Sequence, residues 1–131
     1  MNFYDLPVDD NYVWLDPGYT DHAFLRSKVK KHMGSDDAVT AWICINDVMA
    51  VDLSNALERE GFRIPDDVSV VGFDNSTYPG AQSLTTLEVN VRSLGQRAIE
   101  QLMLKIASPG KPYETLSIGT SLIIRDSVKK I

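Results

Sequence analysis

The stretch VSVVGFDNS (residues 68–76) runs through apolar residues and stops on a carboxylate, Asp74, and an amide, Asn75. A second apolar run, AVTAWICI (residues 38–45), stops in the same way on Asn46 and Asp47. An ionised aspartate only accepts hydrogen bonds, whereas an asparagine amide both accepts and donates. Two readings fit Asp74. It closes a turn by accepting backbone N–H groups, the ordinary use of aspartate at a strand end. Alternatively it grips a ligand, each charge-assisted bond in a closed cleft being worth about 1.5–3 kcal/mol. Asn46 divides similarly between capping the next helix, worth about 1 kcal/mol, and reaching a ligand. Asp47 reads as a complement to the positive end of that helix's dipole.

Other chemistries find little support. There is no GxSxG elbow, P-loop or GxGxxG fingerprint. His22 and His32 fall in one basic stretch with Arg26, Lys28, Lys30 and Lys31 and have no acidic or thiol partner nearby. They read as a solvated helix face, not a metal site. No catalytic residue, metal or cofactor is therefore expected, and the chain does not read as an enzyme. The net charge of −5 argues against direct nucleic-acid binding. One cysteine, Cys44, cannot form an internal disulfide, which fits a reducing cytoplasm. No apolar run is long enough to span a membrane. The first residues lack the basic and apolar regions of a secretory signal.

The elements that must position these residues follow from pattern. YVWL (residues 12–15) is a short strand candidate, followed by a DPG turn. In TDHAFLRSKVKKHMG, the spacing of Leu25, Val29 and Met33 predicts a helix, capped by Thr20 or Asp21 and stopped by Gly34. AVTAWICI and VSVVGF lack alternation, the mark of strands covered on both faces. Between them Met49, Leu53, Ala56 and Leu57 form a helical stripe from Asn46 to a stop at Gly61. LTTLEV is strand-like, and Asn90 caps a helix over 91–107 with an apolar face through Val91, Leu94, Ala98, Leu102 and Ile106. Short strands are expected near YETLSIG and SLIIR. This alternation is the grammar of an α/β fold, a parallel sheet with helices on both faces. Ligands bind such sheets at the carboxyl ends of strands, where Asn46 and Asp74 would share one rim.

Several blocks occur together: ND.MA, G..IPDDVSVVGFD, LTT, LG..A...L and R.S. In this order and spacing they resemble the lactose-repressor family of bacterial transcription regulators. The similarity covers most of residues 38–127 and is to the C-terminal lobe of the sugar-responsive effector domain, a fold shared with periplasmic sugar-binding proteins. It implies that the 131 residues form a single partial domain, with no DNA-binding headpiece. It also implies that residues 91–118 belong to the N-terminal lobe of an intact protein. The helix over 91–107 would then need a partner, by packing on this lobe in a non-native way or against a second copy. Val89 stands where the family often carries a polar side chain.

The family's GFD aspartate corresponds to Asp74, which by this resemblance accepts hydrogen bonds from two neighbouring sugar hydroxyls. Asn46 matches an asparagine that contacts ligand, and Tyr19 is placed to set its ring against the sugar. Trp14 and Trp42 read as core. The implied protein is a cytoplasmic repressor that binds a small-molecule effector, a sugar, acting as a homodimer and reaching operator DNA only through an absent headpiece. Its dimer face would include the helix after Asn46 and the loop after Asp74. Two alternatives are a lobe of an importer's periplasmic sugar-binding protein, and an interaction module without a ligand. A pentose, hexose, sugar phosphate or purine would each need polar groups from the missing lobe.

Overall fold

The computed structural model describes residues 13–14, 22–34 and 38–130. Tyr19, the expected caps Thr20 and Asp21, and most of the strand expected over 12–15 lie outside them.

Helix α1 (His22–Met33) turns Leu25, Val29 and Met33 into the core, as their spacing predicts. Strand β1 (Ala41–Ile43) leads to α2 (Asp47–Arg59), whose stripe of Ala50, Leu53, Ala56 and Leu57 is buried. Glycine follows at position 61 with φ 91°, a left-handed geometry that favours a residue without Cβ. The chain then crosses RIPDD into β2 (Ser69–Asp74). A short 3-10 turn (Ala81–Ser83) precedes β3 (Thr85–Glu88), and α3 (Val91–Ala107) and β4 (Ser121–Ile123) complete the order. Asn90 caps α3 as expected, its side chain accepting from Ser93 N at 2.9 Å. The region of YETLSIG forms no strand.

The α/β class expected from the sequence holds, in a mixed sheet of order β1-β2-β3-β4. Strands β1, β2 and β3 are mutually parallel, and β4 runs antiparallel to β3. Trp42, Val70 and Gly72 lie on the face that α2 covers, and α1 packs on α2. The opposite face is largely bare: Ile43 is 81 % and Ile45 78 % exposed, and Leu122 and Ile124 are exposed with them. Strand β1 is therefore not covered on both faces as its unbroken apolar run suggests; only Trp42 of its three residues is buried. Apolar composition reports what a strand could bury, not what lies against it.

One further expectation fails, and so does one of the two alternatives for α3. His32 does not belong to a solvated face; it is buried, with its ring 5.1 Å from Trp14 and 6.3 Å from Trp42. Burial, reinforced by Lys31 and Lys28, lowers its pKa. Helix α3 does not pack back onto this lobe, since none of its residues is buried. No helix among the described residues is long and apolar enough to cross a membrane.

The RIPDD turn is braced by Arg63, whose backbone N, Nε and Nη2 all donate to Asp67 at 2.8–3.1 Å. The Arg63 side chain, helped by its backbone N–H, pulls the Asp67 carboxyl from an ordinary 3.8 to about 2. A depressed carboxyl pKa contributes stability that is present above the ordinary value and lost as pH falls through the folded one. The stability difference between wild type and Asp67→Asn should therefore shrink between pH 4 and 2, which acid titration at fixed urea would show.

Core and α3 positions should differ sharply. Leu57 is fully buried, so Leu57→Ala should cost about 2–5 kcal/mol. Leu102, 59 % exposed on α3, should cost no more than about 0.5 kcal/mol on truncation to alanine. Urea midpoints at unchanged slope measure both.

Candidate functional site

Parallel pairing of β2 with β3 makes Asp74 and Glu88 register partners, so two strands end side by side on carboxylates. The chain beyond β1 reaches the same edge through Asn46 and Asp47. Asn46 is the N-cap of α2, its Oδ1 accepting from Met49 N at 2.9 Å. That commits the oxygen and leaves the amide N–H groups as donors.

Asp74 has φ 98° and Asn75 φ 52°. Two successive non-glycine residues in the left-handed region carry strain of about 1–3 kcal/mol each, which persists only where neighbours over-determine it. The neighbours here can be named. Asn75 Oδ1 accepts from Arg125 Nη2 at 2.6 Å, and its Nδ2 donates to Glu88 Oε1 at 3.0 Å. Asn75 N donates to Thr86 Oγ1 at 3.3 Å. Thr86 Oγ1 in turn donates to Asp47 Oδ1 at 2.7 Å, and Asp47 Oδ2 accepts from Ser76 N at 2.5 Å. A single chain of hydrogen bonds thus runs from Arg125 through Asn75, Thr86 and Asp47 to Ser76.

The Asp74 side chain is exposed and makes no hydrogen bond among the described residues. It satisfies no backbone N–H, so its carboxylate closes no turn. The network holds the backbone directly after Asp74 and leaves the acid open at the rim.

The segment after β4 does much of this holding. Arg125 Nη1 donates to Leu84 O at 2.8 Å and Arg125 N to Thr85 Oγ1 at 2.9 Å. Ser127 Oγ accepts from Thr85 N at 2.8 Å and donates to Val70 O, bridging β2 and β3 at the start of their ladder.

Of the residues expected at the site, Asp74 and Asn46 lie on one edge, linked through Asp47 and Ser76, and Tyr19 lies outside the described residues. Trp42 is core, as expected, its ring tilted against that of Trp14 with centroids 4.0 Å apart. Sequence reasoning missed Asn75, Glu88 and Arg125. Arg125 had one visible signal, its place in the R.S block, but nothing local pointed to Asn75, fifty residues back. Asp47 opens α2 as expected, yet it is 1 % exposed and does more than face a dipole.

The sequence matches the periplasmic binding protein-like domain over residues 8–128. The chain belongs to that family. Within it, this is an effector-binding domain of the lactose-repressor type. It is 43 % identical over 98 residues to the HTH-type transcriptional repressor PurR of Mannheimia succiniciproducens, covering 73 % of the chain and 29 % of the relative. The PurR of Histophilus somni strain 129Pt is 34 % identical over 120 residues, covering 90 % of the chain and 36 % of the relative. Among solved structures, a LacI family regulator from Enterococcus faecium with bound ribose superposes with TM-score 0.69 at 27 % identity, over 86 % of this chain and 41 % of that one. A putative regulator LacI from Bacillus cereus subsp. cytotoxis gives TM-score 0.72 at 27 % identity, over 82 % and 39 %. The lactose-repressor-type domain described here spans about a third of the length of these curated relatives. Relatives that regulate transcription favour the regulator reading over the importer lobe.

The half-buried thiol of this domain, Cys44, is pushed up to about 12 by burial. It therefore stays protonated at neutral pH and is a poor nucleophile. Among the described residues no group of three or more His, Cys, Asp or Glu side chains could hold a metal ion. Cys44 in the folded protein should react with a thiol-specific disulfide reagent far more slowly than in urea, a difference that absorbance kinetics at pH 7.5 would record.

Proposed function

We propose that this domain is the effector-gripping half of a cytoplasmic transcription regulator, with Asp74 accepting hydrogen bonds from adjacent hydroxyls of a small sugar. The observation that carries the reading is the Asp74 carboxylate, unpartnered among the described residues and held at the strand rim by a network that leaves it open. Asn46 contributes an amide donor beside it, and Tyr19 offers a ring for the sugar's apolar face. Ribose in the Enterococcus faecium neighbour supports a ligand of this class.

One lobe supplies half a cleft. The exposed apolar residues of α3, among them Val91, Leu94, Ile99, Leu102 and Ile106, support the assignment of residues 91–118 to a second lobe. So does the share of each relative that the chain spans. The remaining length would hold the rest of that lobe and a DNA-binding headpiece. A ligand touching both lobes favours the closed arrangement by its difference in affinity between the two states. Closure would move the headpieces of a dimer joined through α2 and the loop after Asp74, and so change operator affinity.

Two substitutions separate function from folding. In the full-length regulator, Asp74→Ala should weaken sugar affinity by more than about a hundredfold, the loss of two charge-assisted bonds. Asp74→Gly should lose binding equally but unfold no more easily than wild type, because glycine adopts φ 98° without strain. Calorimetry with D-ribose first, then other sugars, and urea denaturation provide the readouts. Affinity within a few-fold of wild type in both variants would refute the role of Asp74. The 131-residue chain alone should show no thermal shift with millimolar sugar.

A further inference from the structure

We propose that Asp47 is a positioning residue for the effector rim, acting through Thr86 and Ser76 to keep Asp74 in its left-handed geometry. This rests on the reading of Asp74 as the effector-binding acid, and deepens it. Helix-dipole complementarity alone would leave Asp47 at the surface, where its charge stays hydrated. Instead the side chain is 1 % exposed and pairs with no cation among the salt bridges of the described residues. A buried carboxylate is unfavourable unless donors replace water. Both of its oxygens have one: Thr86 Oγ1 at 2.7 Å on Oδ1 and Ser76 N at 2.5 Å on Oδ2.

Strand β2 makes room for this carboxylate. A Cβ at Gly72 would stand 2.2 Å from Asp47 Oδ1 and 3.2 Å from its Cγ. Glycine inside a strand weakens it and marks a close approach by another group. Here the approaching group is the Asp47 carboxylate. Gly72 also lies two residues before Asp74, so strand, acid and rim are locked in one place.

Both donors meet the backbone on the C-terminal side of Asp74. Ser76 N lies just beyond Asn75, and the Thr86 hydroxyl that bonds Asp47 also accepts from Asn75 N. Arg125 holds the side chain of Asn75, whereas Asp47 and Thr86 hold the backbone around it. Without the backbone anchor, Asp74 would relax to negative φ and swing its carboxylate away from the rim.

The test compares Thr86→Val, which keeps the shape and loses the hydroxyl, with Thr86→Ser, which keeps the hydroxyl, and with Gly72→Ala. Backbone chemical shifts and HN–Hα couplings of the labelled 131-residue chain report the sign of φ at Asp74 and Asn75. Both residues should leave the left-handed region in Thr86→Val and Gly72→Ala, and keep it in Thr86→Ser, while Val70 and Leu57 resonances stay native-like. In the full-length regulator, D-ribose affinity should fall at least about tenfold in Thr86→Val, the equivalent of one hydrogen bond, and recover in Thr86→Ser. Positive φ at Asp74 retained in both Thr86→Val and Gly72→Ala would overturn the proposal. A wild-type regulator that binds no D-ribose would count against ribose as effector, and the couplings would still decide the role of Asp47.

Discussion

A carboxylate shut away from water must find donors inside the protein, and Asp47 finds them in a strand hydroxyl and a loop N–H. That constraint reaches further than the helix it begins. It requires glycine at position 72, fixes the rotor of Thr86, and anchors the chain directly after Asp74 and Asn75. Thr86 is the junction, because one hydroxyl both donates to Asp47 and accepts from Asn75 N. Arg125 closes the arrangement from the far side by holding the Asn75 amide. Helix, two strands and the segment after β4 therefore meet at one strained turn. The strain lies beside an acid whose carboxylate has no hydrogen-bond partner among the described residues, where a ligand would profit from pre-organisation.

The rest of the molecule is lopsided around this turn. One face of the sheet is closed by α2, with α1 packed on it, through a core of Val29, Leu57, Val70 and Trp42. The other shows Ile43, Ile45, Leu122 and Ile124 to solvent, and α3 shows a whole apolar face. Contiguous exposed apolar surface marks an interaction site. In a chain spanning about a third of its relatives, the proposed occupant is the remainder of such a protein. Effector binding and lobe completion would then share one edge, since β3 leads directly from the rim into α3.

What was legible in the sequence was local. The limits of α3, the caps at Asn46 and Asn90 and the stop at Gly61 are rules written within a few residues of each other, and the structure follows them. The two apolar runs also placed Asp74 and Asn46 at strand ends. What was not legible depended on partners far along the chain. Asp47 fits a first-turn acid perfectly well, and only Gly72 and Thr86 show that it is buried. Arg125 reaches Asn75 across the fold, and Glu88 meets Asp74 only through the register of parallel strands. His32 sits among lysines in sequence but beside two tryptophans in space. Strand β1 looked covered on both faces because its composition provides for cover that the described residues do not supply.

The most direct measurement is a crystal structure of the full-length regulator with its bound effector. Ligand hydroxyls bonded to both oxygens of Asp74, with Asp47, Thr86 and Ser76 joined as here and α3 buried in a second lobe, are the expected result. An effector held elsewhere, with the Asp74 carboxylate facing solvent, would contradict the central claim that the network exists to present this acid.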